Sequence, residues 1–255
     1  MPSNFVWYEL MTNDAPAASA YYQRVIGWQA ADSKMPGMDY TLLSAGSTQV
    51  AGLMPLPAEA VAAGAQPNWT GFVAVDDVDA KLASAVKAGA TVCHPATDIP
   101  GIGRFATLAD PHGAVFCLYK DNGGDAPQID SATPGAIGWN ELYAGPLDSA
   151  WGFYAGLFGW VKSDAIDMGP MGVYQLFSAA DGAMAIGGMM TRPPEVPRAC
   201  WMYYINVDAI DAAAARATAA GGQVVNGPME VPGGSWVVNC LDPQGAAFSM
   251  VAPKR

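Results

Sequence analysis

Apolar positions along this chain recur with two periods, and the switch from one to the other lays out its elements. Phe5 to Met11 is dense in apolar and aromatic residues and is followed by polar turn formers, which predicts a strand. Asn13 or Asp14 can then cap a helix that has Pro16 in its first turn and closes near Gly27. The same plan starts again further on. Gly71 to Val75 reads as a strand and Asp76 or Asp77 as a cap. Val78, Leu82, Ala85 and Val86 form a helical stripe that stops at Gly89. Short β-like runs follow each helix, at Tyr40 to Leu43, Val50 to Met54, Thr91 to His94, Phe105 to Leu108 and Ala114 to Tyr119. The repeating plan is β-α-β-β-β.

The whole arrangement is then written a second time. Glu9 matches Glu141 (141 − 9 = 132), and the same shift carries Trp28 to Trp160, Asp76 to Asp208 and Asp110 to Asp242. W-Y-E-L at Trp7 returns as W-N-E-L at Trp139, and L-A-D-P-H-G-A-V-F returns as C-L-D-P-Q-G-A-A-F. A repeat this long is a folded domain rather than a solenoid unit. Asp110-Pro111-His112-Gly113 and Asp242-Pro243-Gln244-Gly245 fit type I turns. The expected division is a first domain at 1–120, a linker at 121–136 and a second domain at 137–255. Gly123, Gly124, Pro127 and Pro134 mark the linker.

Composition narrows the function classes. Hydrophobic residues make up 51% of the 255 and charged residues 14%, enough for two cores and unlike a disordered chain. A net charge of −11 leaves no basic stripe, which argues against nucleic acid and anionic membranes as partners. Cys93, Cys117, Cys200 and Cys240 form no C-x-x-C pair, so reduced thiols in a cytoplasmic protein are expected. Neither a secretion signal nor a membrane-length apolar stretch is read.

The strand–helix–turn segments together, F-V-W-Y-E-L-M-T-N-D, A-Y-Y-Q-R-V-I-G-W and D-I-P-G-I-G-R-F-A-T-L-A-D-P-H-G-A-V-F, resemble the vicinal oxygen chelate superfamily. That group holds glyoxalase I, bleomycin-resistance proteins and extradiol dioxygenases. More narrowly, the chain resembles two-domain bacterial glyoxalase-like proteins. The resemblance implies an α+β fold of four βαβββ modules, in two glyoxalase-like domains whose curved mixed sheets form cups. In metal-dependent relatives, His, Gln or Glu side chains from four strands hold a divalent ion in the cup.

Carried over residue by residue, those ligand positions fall on Trp7 and Trp139, Thr70 and Met202, and Cys117 and Ser249. The last falls within Val50 to Leu53 and Ile186 to Met189. Such side chains do not suit a hard divalent ion. The two histidines, His94 and His112, read as solvated or satisfied. The expectation is therefore no metal and no cofactor, with a divalent metal shared with Glu9 as the minority alternative.

Strand alternation places Trp7, Glu9 and Met11 on one face, with Trp139, Glu141 and Tyr143 as their counterparts. Two readings of Glu9 and Glu141 stand side by side. They are acid–base groups with raised pKa, or they are structural anchors bonded to backbone or, in the first copy, to Arg104. Phe72, Ala74, Cys117 and Tyr119, and Met202, Tyr204, Asn206 and Ser249, are the other expected liners. Met184, Met189, Met190 and Met202 are expected to form an adaptable apolar wall. Three functions follow. One is an enzyme of lyase, isomerase or dioxygenase type acting on a small, oxygenated, largely apolar molecule. Another is a protein that binds and sequesters such a molecule. The third is a protein whose cups are vestigial and whose role is interaction with another protein. A monomer or a homodimer is expected.

Overall fold

The computed structural model describes residues 3–123, 130–180 and 182–255. Of the linker signals, Gly124 and Pro127 lie outside these residues. The first module is β1 (Phe5–Thr12), α1 (Ala15–Ile26), β2 (Gln29–Asp32), β3 (Thr41–Ala45) and β4 (Thr48–Pro55). A short helix, α2 (Ala58–Ala62), precedes the second: β5 (Asn68–Ala74), α3 (Val78–Lys87), β6 (Thr91–Ile99), β7 (Gly103–Ala109) and β8 (Val115–Asp121). The third is β9 (Ile137–Ala144), α4 (Leu147–Phe158), β10 (Val161–Asp167), β11 (Val173–Ser178) and β12 (Ala185–Thr191). The fourth is β13 (Cys200–Asn206), α5 (Ile210–Ala219), β14 (Gln223–Glu230), β15 (Trp236–Leu241) and β16 (Ala247–Ala252).

The fold is α+β, four βαβββ modules forming two eight-stranded sheets. Their strand orders are β2-β3-β4-β1-β5-β8-β7-β6 and β10-β11-β12-β9-β13-β16-β15-β14. Both are mixed: β1 runs parallel to β4 and β5 to β8, while the hairpin strands run antiparallel. Local chemistry sets the boundaries. Asp14 accepts from the Ala17 amide at 3.0 Å and Asp77 from Ala80 at 2.9 Å, so each supplies the N-cap of its helix. Gly27 ends α1 with φ 88°, a left-handed conformation that glycine adopts without strain. The turns at Gly101 to Ile102 and at Gly233 to Gly234 join β6 to β7 and β14 to β15. Two exposed elements, β2 and α2, carry no apolar period and are not predicted by pattern.

Strand order follows the two sequence halves; packing does not. The compact units are Met1–Val6 with Gly71–Ala126 and Trp139–Trp201, and Trp7–Thr70 with Pro127–Gly138 and Met202–Arg255. The pairing of modules is therefore crosswise, a point the sequence leaves open.

Each unit is centred on a buried aromatic cluster bonded to a turn aspartate. In one, Trp69 Nε1 donates to Tyr22 Oη (2.9 Å), and Tyr22 Oη donates to Asp242 Oδ2 (3.1 Å). Asp242 Oδ1 takes the amides of Gln244 and Ala246. In the other, Trp201 Nε1 donates to Tyr154 Oη (3.0 Å), which donates to Asp110 Oδ2 (3.0 Å). Asp110 Oδ1 takes the amides of His112 and Ala114. The D-P-x-G aspartates thus do more than shape a turn. Every buried polar atom of the chain Trp–Tyr–Asp finds a partner, which burial of such groups requires.

A cation closes each helix pair. Arg216 Nε on α5 donates to Val25 O in the last turn of α1 at 2.9 Å, and Lys81 Nζ on α3 donates to Leu157 O in the last turn of α4 at 2.5 Å. Both positions suit the negative end of a helix. Arg216→Met is expected to cost about 1–2 kcal/mol in urea unfolding, the scale of one charged hydrogen bond plus a dipole contact. An unchanged midpoint would show that solvent replaces the contact.

Candidate functional site

Along β1 the even positions Tyr8, Leu10 and Thr12 are buried, whereas Trp7, Glu9 and Met11 on the other face stay partly exposed. We call this second face the open face. Trp7 Nε1 donates to Tyr40 Oη at 2.9 Å, and the Tyr40 hydroxyl hydrogen-bonds Glu9. With the indole N–H on its oxygen, the Tyr40 hydroxyl proton is directed at the carboxyl. Tyr40 can lie here because Gly52 sits opposite Glu9 in the β1–β4 register; a Cβ on Gly52 would come within 1.8 Å of Tyr40 Oη.

The second copy repeats each part. Trp139 Nε1 donates to Tyr174 Oη at 2.8 Å, and the Tyr174 hydroxyl hydrogen-bonds Glu141. Gly188 pairs with Glu141 across β9–β12, and a Cβ there would reach 2.3 Å from Tyr174 Cζ. Glu141 is 7% exposed. Tyr174 has its pKa raised well above the usual phenol value, by burial first and by the Glu141 charge next.

Sequence reasoning missed Tyr40, Tyr174 and the two glycines. The repeat shift drifts here from 132 to 134 (174 − 40) and 136 (188 − 52), then returns to 132 at Trp69 and Trp201 (201 − 69). Y-T-L-L-S against Y-Q-L-F-S was the available signal.

Glu9 as a residue is half-buried, but its carboxyl sits deep. Burial pushes its pKa up from 4.5 to about 7, and the Tyr40 hydrogen bond opposes that rise. The folded chain therefore favours protonated Glu9. Its contribution to stability is complete below about pH 4.5 and is lost as pH rises through about 7. The loss is at most roughly 3 kcal/mol, from about 1.4 kcal/mol per pKa unit. Glu9→Gln should flatten this part of the stability–pH curve and stabilise the protein at pH 8. A curve between pH 5 and 8 of unchanged slope would remove Glu9 as its source.

The other expected liners fall into rows set by strand register. Phe72, Cys117 and Thr107 lie side by side on β5, β8 and β7, with Cys117 buried and its Sγ 3.2 Å from Thr107 Oγ1. Phe72 contacts the rings of Phe105 and Tyr119. At the same places in the last module stand Tyr204, Ser249 and Asn239. Asn239 Nδ2 donates to Ser249 Oγ at 2.7 Å. Met202, on the Tyr204 side of β13, is buried. Met11 pairs with Met54, and Tyr143 with Met190. Asn206 is drawn to backbone instead, its Nδ2 donating to Ser131 O and Thr133 O.

Three expectations are corrected. Met184 is 81% exposed, outside any wall. Met189 pairs with Leu142 on the buried face, so of the β12 methionines only Met190 shares the side of Glu141. Arg104 is no anchor for Glu9: its guanidinium takes Asp79 (2.9 Å) and Asp98 (2.9 Å). Of the histidines, His94 stacks on Phe105 with Nε2 near Thr97 Oγ1, and His112 Nε2 lies 2.9 Å from Ser149 Oγ.

The donor set does not fit a divalent ion. Among the described residues no three His, Cys, Asp or Glu side chains converge. The indoles of Trp7 and Trp139 are committed as donors to tyrosine, and an indole offers no lone pair to a metal. The four cysteines are free thiols. Among the described residues, no helix is long and apolar enough to cross a membrane.

The duplicated fold defines a class. Residues 7–119 match the family described as Glyoxalase-like domain, and residues 136–250 match Glyoxalase/Bleomycin resistance protein/Dioxygenase superfamily. The chain belongs to this superfamily, the vicinal oxygen chelate group, as a two-domain member. A Mycobacterium tuberculosis (strain CDC 1551 / Oshkosh) relative named "Putative glyoxylase CFP32" is 36% identical over 250 residues, 97% of this chain and 94% of that one. "Anthracycline biosynthesis protein DauV" of Streptomyces sp. (strain C5) is 29% identical over 261 residues, 98% and 93%. The Mn(II)-bound glyoxalase from Novosphingobium aromaticivorans superposes with a TM-score of 0.66 at 17% identity, over 98% of this chain and 83% of that one, a likeness of fold.

Proposed function

We propose that this protein binds a small, oxygenated, largely apolar molecule on the open faces of its sheets and exchanges a proton with it through Glu9 and Glu141. One observation carries the reading: Glu9 is held by the Tyr40 hydroxyl with its pKa pushed up to about 7. A carboxyl that titrates there is present in both forms near neutral pH, so it can give a proton to a substrate oxygen or take one from carbon. Trp7, Met11, Trp139 and Tyr143 supply flat or adaptable apolar contact beside the acids. Tyr40 and Tyr174 orient the acids and return a hydrogen bond to whichever form is present. In this reading no metal takes part. The name of the Streptomyces relative supports a polycyclic oxygenated aromatic as the ligand class.

Sequestration without turnover is the second reading. The buried Trp69–Tyr22–Asp242 chain favours it, because there the same chemistry serves only as a brace.

Titration with 1,8-dihydroxyanthraquinone and with phenylglyoxal, read by tryptophan fluorescence and by probe absorbance at pH 6, 7 and 8, tests the proposal. Saturable quenching is expected, changing through about pH 7 in the wild type but not in the Glu9→Gln/Glu141→Gln double variant. A change in probe absorbance that both substitutions abolish marks turnover; quenching alone marks sequestration. Absence of saturable quenching at every pH would defeat both readings.

A further inference from the structure

The two acid sites differ in the loop that follows their fourth strand. After β4 the chain runs Leu56 to Pro67 without a lysine or arginine and with Glu59. After β12 it runs Arg192-Pro-Pro-Glu-Val-Pro-Arg198. The Arg192 amide donates to Ala144 O, which continues the β12–β9 ladder by one step. Alternation along β12 puts Gly188, Met190 and therefore Arg192 on the side of Glu141, while Thr191 turns away and accepts from the Leu147 amide. Arg192 Nη1 donates to Val196 O and so folds the loop back on its own start.

Cys200, the first residue of β13, closes the same loop two residues after Arg198. Trp201 enters the buried cluster, so Cys200 faces the opposite, open side. Burial pushes its pKa up to about 11; Arg198 pulls it down, Glu141 pushes it up and Arg192 pulls it down. Three charges thus act on one thiol, two of them arginines. Glu195 of the same loop is not among them. The thiol stays neutral at physiological pH and serves as a wall, not a nucleophile.

We propose that the Glu141 site takes a ligand bearing an ionised carboxylate on a flat apolar body, with Arg192 and Arg198 receiving the charge and Trp139 and Tyr143 the body. The assignment rests on the open-face reading and narrows its ligand class for one of the two sites. A guanidinium pair offers fork-shaped donors that match a carboxylate. Met190 and the neutral Cys200 thiol leave the apolar body undisturbed. The Glu9 site has no such loop and should not discriminate by charge.

The test uses the full chain and two isosteric probes, 2-naphthoate and neutral 2-naphthamide, in calorimetric titrations. Wild type is expected to bind one equivalent of naphthoate about tenfold more tightly than naphthamide, the scale of one charge-assisted contact. Arg198→Gln, on an exposed side chain, should remove part of that preference, about threefold of the naphthoate affinity, and leave naphthamide unchanged. Arg192→Gln/Arg198→Gln should abolish the preference, with circular dichroism confirming the fold. Equal affinity of wild type for both probes, or an equal loss for both in the variants, overturns the charge assignment alone. No binding of either probe to folded wild type overturns the open-face reading together with it.

Discussion

Asp242→Ala should lower unfolding stability by about 3–5 kcal/mol. The carboxylate accepts three hydrogen bonds, from Tyr22 and from the Gln244 and Ala246 amides, and is 3% exposed. Removing it strands a buried hydroxyl proton and two amides, and leaves a cavity in an otherwise well-packed cluster. Asp110→Ala should behave alike, because Asp110 holds Tyr154 and its own turn the same way. Tyr22→Phe should cost less, about 2–3 kcal/mol: it leaves Trp69 Nε1 and one carboxylate oxygen without a partner but preserves the turn. Urea unfolding followed by circular dichroism measures all three. Equal costs for Asp242→Ala and Tyr22→Phe would mean that the turn bonds contribute nothing.

Gly52→Ala should displace Tyr40 and cost about 2–4 kcal/mol, the scale of overpacking a filled site together with loss of a buried hydrogen bond. The new Cβ would stand 1.8 Å from Tyr40 Oη and 2.3 Å from Cζ, distances no side chain tolerates. Tyr40 must swing out, so Trp7 Nε1 loses its acceptor and Glu9 its hydrogen bond. That bond holds the Glu9 pKa down, so displacement should raise the pKa further and shift any pH-dependent ligand binding upward. Gly188→Ala should do the same to Tyr174 in the second copy. A Gly52→Ala variant with wild-type stability and an unmoved Glu9 would show that Tyr40 is not seated there.

Much of the scaffold was legible because its signals are local. Asp14, Asp77 and Gly27 mark helix ends through their own side-chain or backbone chemistry, and the D-P-x-G turns do the same. The faces of β1 and β9 follow from alternation alone, which brings Trp7 next to Glu9 and Trp139 next to Glu141 on one side. What escaped is non-local. Tyr40 reaches Glu9 only because Gly52, distant in sequence from Glu9 but opposite it on β4, leaves room, and insertions in the second copy hide the matching pair at the constant shift. Crosswise packing rests on bonds such as Tyr22 to Asp242, which no periodicity reveals. Met184 looked like core by composition, yet it lies in a surface turn before β12. Arg104 offered a plausible partner for Glu9 until its two aspartates were located.

Carbon-13 NMR titration of the Glu9 carboxyl bears most directly on the acid–base account. The chain has only five glutamates, so selective labelling with Glu9→Gln as the assignment control isolates one resonance. A midpoint at about pH 7, moving higher in Tyr40→Phe, is the predicted result. A midpoint near 4.5, unmoved by Tyr40→Phe, would show an ordinary solvated carboxylate and contradict it.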